Sequence, residues 1–234
     1  MSLKKEISMS KANPKFAVVL AGCGNFDGSE IHETTLGLLA IDEQGGHYDC
    51  YAPNAEQGRT MNFYTKKVIA TRGQPENRNM LIEGARIARG NIKPLSELNT
   101  AEYDAVIFPG GQGAINNWCD FATKGIDCTV NPEIAETMEK AYQQNKWIGA
   151  MCIAPVVVAK VLGKNGVHLT IGNDKQVATI IESTGAVHEE CRATEACIDK
   201  KHKIATTPCY MLAKSIKEIY AGNTALIKGI IENL

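Results

Sequence analysis

The sequence has little net charge, no long apolar run and no closely spaced cysteine pair, and each absence removes a class of protein. Lys and Arg number 25 against 26 Asp and Glu, a net charge of -1. No strong field therefore favours nucleic acid or an anionic membrane as a partner. No run reaches the ~18 apolar residues of a spanning helix. No CxxC pair occurs, and the eight cysteines are strewn from Cys23 to Cys209. A secreted disulfide scaffold is shorter and denser in cysteine, so reduced thiols and a cytoplasmic protein are expected. His188, Cys191 and Cys197 come nearest to a ligand set, but they lack the paired spacing of a zinc site, and no metal is expected. Residues 1–14 lack the apolar segment of a secretory signal. With lysines, Glu6 and no arginine, they do not read as an organelle transit peptide either. They are expected to form a flexible tail. No repeat, low-complexity tract or linker divides the rest, so residues 15–234 are expected to form one domain.

What is present is an alternation of short apolar runs and amphipathic stretches. The chain has 234 residues, 44% of them hydrophobic, enough to bury a full core. Runs at 16–21, 47–53, 105–108, 147–150 and 168–171 read as strands. Residues 31–41, 78–89, 132–145, 153–162, 175–183 and 211–231 read as helices. Residues 63–71 read as a hairpin or edge strand, and 187–199 and 202–205 as strands joined across a Lys-rich turn. Such alternation implies an α/β protein, a mostly parallel sheet covered by helices on both faces.

In such a sheet ligands bind at the carboxyl ends of the strands. Three loops are expected there, at 22–29, 109–117 and 151–155. The first, Gly22-Cys23-Gly24-Asn25-Phe26-Asp27-Gly28, superficially resembles a dinucleotide loop. Its spacing is loose, and the acid that should close the second strand is missing, with Asp49 inside that strand instead. No cofactor is expected. Asp27 and Glu30 read as a helix cap and its reciprocal partner, and Glu33, one turn on, as either a solvated or a site carboxylate. Gly110 and Gly111 let the backbone approach a ligand, or simply form a tight turn. In the segment 57–79, Arg59, Arg72 and Arg78 read as solvated charges or as contacts to an anionic substrate. Cys119 and Cys128 flank an insertion that reads as a lid, a dimer contact or a plain loop.

Ala150-Met151-Cys152-Ile153-Ala154-Pro155 is the sharpest feature. A strand runs into a helix with a cysteine at the corner and small residues on either side, the pattern of a nucleophile elbow. The helix dipole would lower the thiol pKa, and the Ile153 N–H would serve as an oxyanion donor. The plain alternative is a buried core cysteine.

Four segments together carry a resemblance: Gly28 to Thr35, Phe108-Pro109-Gly110-Gly111, Ala150 to Pro155 and Thr206-Thr207-Pro208. They resemble the ThiJ/PfpI superfamily of glutamine amidotransferase-like proteins. Gly22 to Glu33 and Thr207 to Ala213 are similar to its ElbB branch, named for isoprenoid or lycopene biosynthesis. The resemblance runs from Lys15 onward. It implies a flavodoxin-like three-layer sandwich, a homodimer, Cys152 as the elbow cysteine, Glu33 against its thiol and Glu30 as a second acid. It also implies Gly111 and Ile153 as oxyanion donors, with Gly22, Cys23, Gly24 and Gly110 lining the site. The histidine that many members carry about 20 residues after the cysteine is absent near Gly172, and His168 lies short of it, which leaves a Cys–Glu pair. Glu33 is expected to be protonated, so that it stabilises the thiolate rather than repels it. By resemblance the activity is glyoxalase-like or deglycase-like, on small dicarbonyl substrates. The rivals are a redox-sensing or chaperone-like protein with Cys152 oxidised and Cys23 as resolving thiol, and a glutaminase using His188 and Glu190.

Overall fold

Phe16, Val18 and Leu20 face one apolar layer and Ala17, Val19 and Ala21 the other, and all six are buried. A strand buried on both faces is continuously apolar because each face meets a helical layer. That strand is β1 (Lys15–Val19), an interior strand of the sheet in the computed structural model, which describes residues 13–234. The expected tail at 1–14 therefore lies outside the described residues except for Asn13 and Pro14.

After β1 come α1 (Ile31–Glu43), β2 (His47–Ala52), the hairpin β3 (Arg59–Asn62) and β4 (Lys67–Thr71), α2 (Met80–Ile87), β5 (Ile92–Pro94) and β6 (Ala105–Phe108). Two short helices, α3 (Gly113–Asn116) and α4 (Phe121–Lys124), lead to α5 (Pro132–Gln143), β7 (Trp147–Met151) and α6 (Pro155–Leu162). The chain closes with β8 (His168–Leu169), α7 (Lys175–Ser183), β9 (Val187–His188), β10 (Cys197–Asp199), β11 (Ile204–Thr207) and α8 (Ile216–Ile231). The main sheet has the order β10-β11-β7-β6-β1-β2-β5. It is parallel except for β10 against β11. The chain winds outward in both directions from β1 and β6, so the switch in strand order falls between their carboxyl ends. One layer is built on α5, α6 and α7, the other on α1 and α8 with most of α2. This is the flavodoxin-like three-layer sandwich.

The elements differ from the sequence reading at the periphery. Residues 63–66 are the turn of the hairpin, and β3 and β4 form a separate two-stranded sheet. β8 and β9 likewise pair only with each other. The edge strand β5 carries no apolar run to announce it. At α1 the cap is Glu30, which accepts the Glu33 N–H at 2.8 Å. Asp27, expected as the cap, instead accepts the Met61 N–H at 2.7 Å and ties the hairpin to the loop after β1. Arg59 strengthens that tie, donating to Phe26 O and to Gln112 Oε1 at 2.6 Å.

The central layer sets the stability. Ile107, on β6, is 1% exposed. Ile107→Ala should lower unfolding stability by about 2–5 kcal/mol, read as a shift in the urea midpoint with an unchanged slope.

Candidate active site

Four loops leave the carboxyl ends of β1, β6, β7 and β11 and meet at one place. Cys152 follows β7 directly and turns with φ +58°. A left-handed backbone at a residue with a Cβ costs on the order of 1–3 kcal/mol, and such strain persists where the surroundings over-determine it. Here the Cys152 N–H is held by the Thr207 carbonyl of β11 at 2.9 Å. Cys152 is 8% exposed.

Gly110 lies against this corner. A Cβ on Gly110 would overlap the Cys152 Cβ, the Glu33 Oε2 and the Met151 carbonyl. Gly111, at φ +94°, could carry no side chain without striking the Glu30 amide and the Gly28 carbonyl. The two glycines thus bring the backbone after β6 into contact with both the thiol and the carboxyl. The Gly110 carbonyl in turn accepts the Glu30 N–H at 2.9 Å.

Glu33, in the first turn of α1, is 0% exposed. Its Oε1 accepts the Tyr210 N–H at 3.2 Å. Its Oε2 has no hydrogen bond of ordinary geometry, and the Cys152 thiol and the Gly110 amide also act on the carboxyl. The N-terminal end of a helix favours a carboxylate by up to ~2 kcal/mol, but burial outweighs this. Burial first, and the Glu30 charge second, push Glu33 up to about 8, against the pull of the Tyr210 N–H, the Cys152 thiol and the Gly110 N–H. Glu33 is therefore protonated at neutral pH.

Burial, then the charge of an ionised Glu33, push the Cys152 thiol well above its ordinary range, while the Gly111 and Ile153 N–H groups favour its charge. This corrects the expectation of a dipole-lowered thiol. α6 begins at Pro155, and Cys152 sits in the turn ahead of it, where burial is the larger effect. A neutral Glu33 removes the second of these causes.

The structure thus brings Cys152, Glu33, Gly110, Gly111 and Ile153 together, with Glu30 at the edge as the cap of α1. Gly22, Cys23 and Gly24 sit apart from the thiol. Gly22 packs on the Gln57 side chain and Gly24 on Phe63 and Asp27. The groups acting most strongly on Cys23 are Glu83, Arg86, Asp27 and Arg78. His188 Nε2 accepts the Ile171 N–H at 3.4 Å on β9, and its charged neighbours are Glu182, Glu189 and Glu190. Arg59 and Arg78 are engaged within the protein, Arg78 with Glu83 at 3.5 Å. No group of three or more His, Cys, Asp or Glu suited to a metal occurs among the described residues.

Three residues were not singled out from the sequence. Cys209 and Tyr210 follow β11, and Asn223 lies on α8. Asn223 Nδ2 donates to the Glu33 carbonyl at 2.9 Å, and Asn223 Oδ1 accepts from the Cys209 Sγ at 3.2 Å. Tyr210 Oη pairs with His32 Nδ1 at 2.7 Å. The signal available for Cys209 and Tyr210 was the Thr207 to Ala213 segment that helped carry the resemblance, from which neither was picked out. Nothing local marked Asn223.

No family model matches the chain. Its curated relatives are more informative. Glutamine amidotransferase-like class 1 domain-containing protein 3, mitochondrial, from Homo sapiens is 38% identical over 97% of this chain and 85% of its own length. The chain belongs to the glutamine amidotransferase-like class 1 domain family. The ES1 protein homolog, mitochondrial, from Rattus norvegicus is 37% identical over 96% of this chain and 86% of its own. Among solved structures, an isoprenoid biosynthesis protein with amidotransferase-like domain from Ehrlichia chaffeensis superposes with a TM-score of 0.86 at 32% identity, over 94% of this chain and 100% of that one. Drosophila melanogaster DJ-1beta, at 14% identity and a TM-score of 0.54, shares the fold. These relatives agree with the resemblance read from the motifs. They overturn the cytoplasmic expectation, since the curated relatives are named mitochondrial. The physical reason is that scattered reduced thiols exclude oxidising compartments but do not choose among reducing ones.

Glu33 also links the site to pH. Its folded pKa of about 8 lies above the ordinary 4.5, so between those values the folded state binds more protons than the unfolded one. Stability is fully present below about pH 4.5 and falls as pH rises toward 8. Replacing the carboxyl by an amide removes this slope. Glu33→Gln should flatten the decline between pH 5 and 8, by on the order of 4 kcal/mol at pH 8, measured by urea unfolding at both pH values.

Proposed function

We propose that the protein is a cysteine-dependent glyoxalase-like or deglycase-like enzyme acting on small dicarbonyls, with glyoxal as substrate and glycolate as product. The observation that carries the reading is the buried pair of Glu33 and Cys152 with two backbone N–H groups acting on the sulfur. A buried carboxyl that keeps its proton to about pH 8 is an acid–base group placed near working pH.

The steps follow from that pair. Because Glu33 and Cys152 act on each other, the first proton lost belongs to both, and the productive form keeps it on Glu33 beside the thiolate. The thiolate adds to one aldehyde carbon, a C–S bond forms, and the carbonyl electron pair moves onto oxygen. The Gly111 and Ile153 N–H groups stabilise that oxyanion. Protonation gives a hemithioacetal. Glu33, now ionised, takes the proton from the carbon bearing sulfur and returns one to the adjacent carbon, giving a thioester of glycolate. Water adds to the thioester, the C–S bond breaks, and glycolate leaves as the thiol recovers its proton. No redox cofactor enters this sequence, because one carbon is oxidised as its neighbour is reduced. The names of the curated relatives favour a mitochondrial setting for this chemistry.

Glyoxal consumption and glycolate release should be measured for the wild type, Cys152→Ala and Glu33→Gln. The wild-type kcat/KM should rise about tenfold per pH unit below about 8 and level off above it. Cys152→Ala should lose turnover, and Glu33→Gln should lose roughly 100- to 10,000-fold together with the limb near pH 8. Equal turnover in wild type and Cys152→Ala would overturn the reading.

A further inference from the structure

Cys209 takes no part in the steps above, yet it is the second cysteine at the site. β7 and β11 are parallel neighbours with Met151 opposite Thr207. The Cys152 N–H donates to the Thr207 carbonyl at 2.9 Å. The two chains therefore leave the sheet side by side, Cys152 one residue and Cys209 two residues past the paired positions. Both turn through positive φ, +58° and +43°, and both are buried in the same apolar cluster. Each is a free thiol. The Cys152 amide and the charges of Cys152 and Glu33 act on the Cys209 sulfur. Glu33 Oε2 is buried at the same place without a hydrogen bond of ordinary geometry. Cys23, the resolving thiol expected from the sequence, sits among Asp27, Arg78, Glu83 and Arg86 instead.

We propose that Cys152 and Cys209 are a redox pair, in which a peroxide oxidises Cys152 and Cys209 resolves it to an intramolecular disulfide. The Cys152 thiolate attacks one peroxide oxygen, the O–O bond breaks, and the departing hydroxide takes the Glu33 proton to become water. Cys152 is then a sulfenic acid. The Cys209 thiol gives up its proton, its sulfur attacks the Cys152 sulfur, the S–O bond breaks, and a second water leaves. The two thiols supply the two electrons that reduce the peroxide. Burial raises both thiols, so the reaction quickens with rising pH. The disulfide withdraws the Cys209 donor from Asn223 and removes the Cys152 nucleophile. It also shields Cys152 from the irreversible sulfinic and sulfonic acids. The proposal stands apart from the dicarbonyl reading, since it needs no carbonyl substrate and is read out at the thiols.

The test treats the full-length wild type with a few equivalents of hydrogen peroxide, blocks free thiols with an alkylating agent and maps the digest by mass spectrometry. The expected result is a peptide cross-linked through Cys152 and Cys209 that disappears on treatment with a dithiol reductant. In Cys209→Ala and Cys209→Ser the cross-link should be lost and sulfinate should accumulate at Cys152, with no recovery of the thiol on reduction. The wild-type map is decisive even if a variant folds poorly. Sulfinate at Cys152 of the wild type with Cys209 unmodified overturns the proposal. So does a cross-link confined to another pair, such as Cys119 and Cys128, and so does the absence of any change at either thiol. Glyoxal turnover, assayed separately on untreated protein, leaves this outcome untouched.

Discussion

The site depends on one close approach, the backbone at Gly110 lying where a Cβ would overlap both Cys152 and Glu33. Three elements distant in sequence are fixed by that contact. β6 ends there, the turn after β7 is pressed against it, and the start of α1 is held to it through the Glu30 amide on the Gly110 carbonyl. The parallel sheet supplies the alignment, because β6 and β7 pair in register from Ala105 opposite Trp147 to Phe108 opposite Ala150. The loops that follow therefore emerge at matching heights. Without the sheet the glycine would be an ordinary turn residue. Without the glycine, the sheet would hold the thiol and carboxyl apart.

Within that frame, competing electrostatic effects have a clear order. A helix N-terminus and several N–H donors favour charge on Glu33 and Cys152. Both groups are buried completely enough that loss of water outweighs them. The result is a pair that stores protons at neutral pH rather than charge. This suits a site that must pass protons between a sulfur and two adjacent carbons. It suits less well a site that depends on a permanently exposed thiolate. The strained turn at Cys152 serves the same arrangement, since it points the thiol at the Gly110–Gly111 backbone and holds the Ile153 amide beside it.

The sheet and its flanking helices were legible in the sequence because β6, β7 and β1 after Lys15 are short apolar runs that lead into a glycine loop or an elbow. Cys152 and Ile153 stood out because they follow a strand end directly, whereas Glu33 and Gly111 were assigned to the site only by the resemblance. What the sequence concealed has physical causes. β5 is an edge strand and needs no apolar face. Asp27 looks like a cap because its spacing to Glu30 fits one, yet its carboxylate is drawn away by the Met61 amide of the hairpin. Cys23 occupies the same kind of loop as Cys152 but faces Glu83 and Arg86, and spacing alone does not distinguish the two directions. Cys209 was visible only as part of a strand-end motif. Asn223 was not visible at all, because a buried asparagine on a long helix has no local pattern. The thiol pKa was misjudged because proximity to a helix was weighed without the burial that accompanies it.

The hydrogen bonds around Glu33 have a consequence for how the protein is made. Asn223 reaches the Glu33 carbonyl across 190 residues, and Tyr210 reaches its carboxyl across 177. During synthesis the first helix and its glutamate leave the ribosome long before the partners that enclose them. Until α8 docks, Glu33 has no Asn223 to hold its carbonyl, and until β11 pairs, Cys152 has no Thr207 carbonyl to hold its amide. The site is therefore complete only once β11 and α8 have joined the elements that carry Glu33 and Cys152.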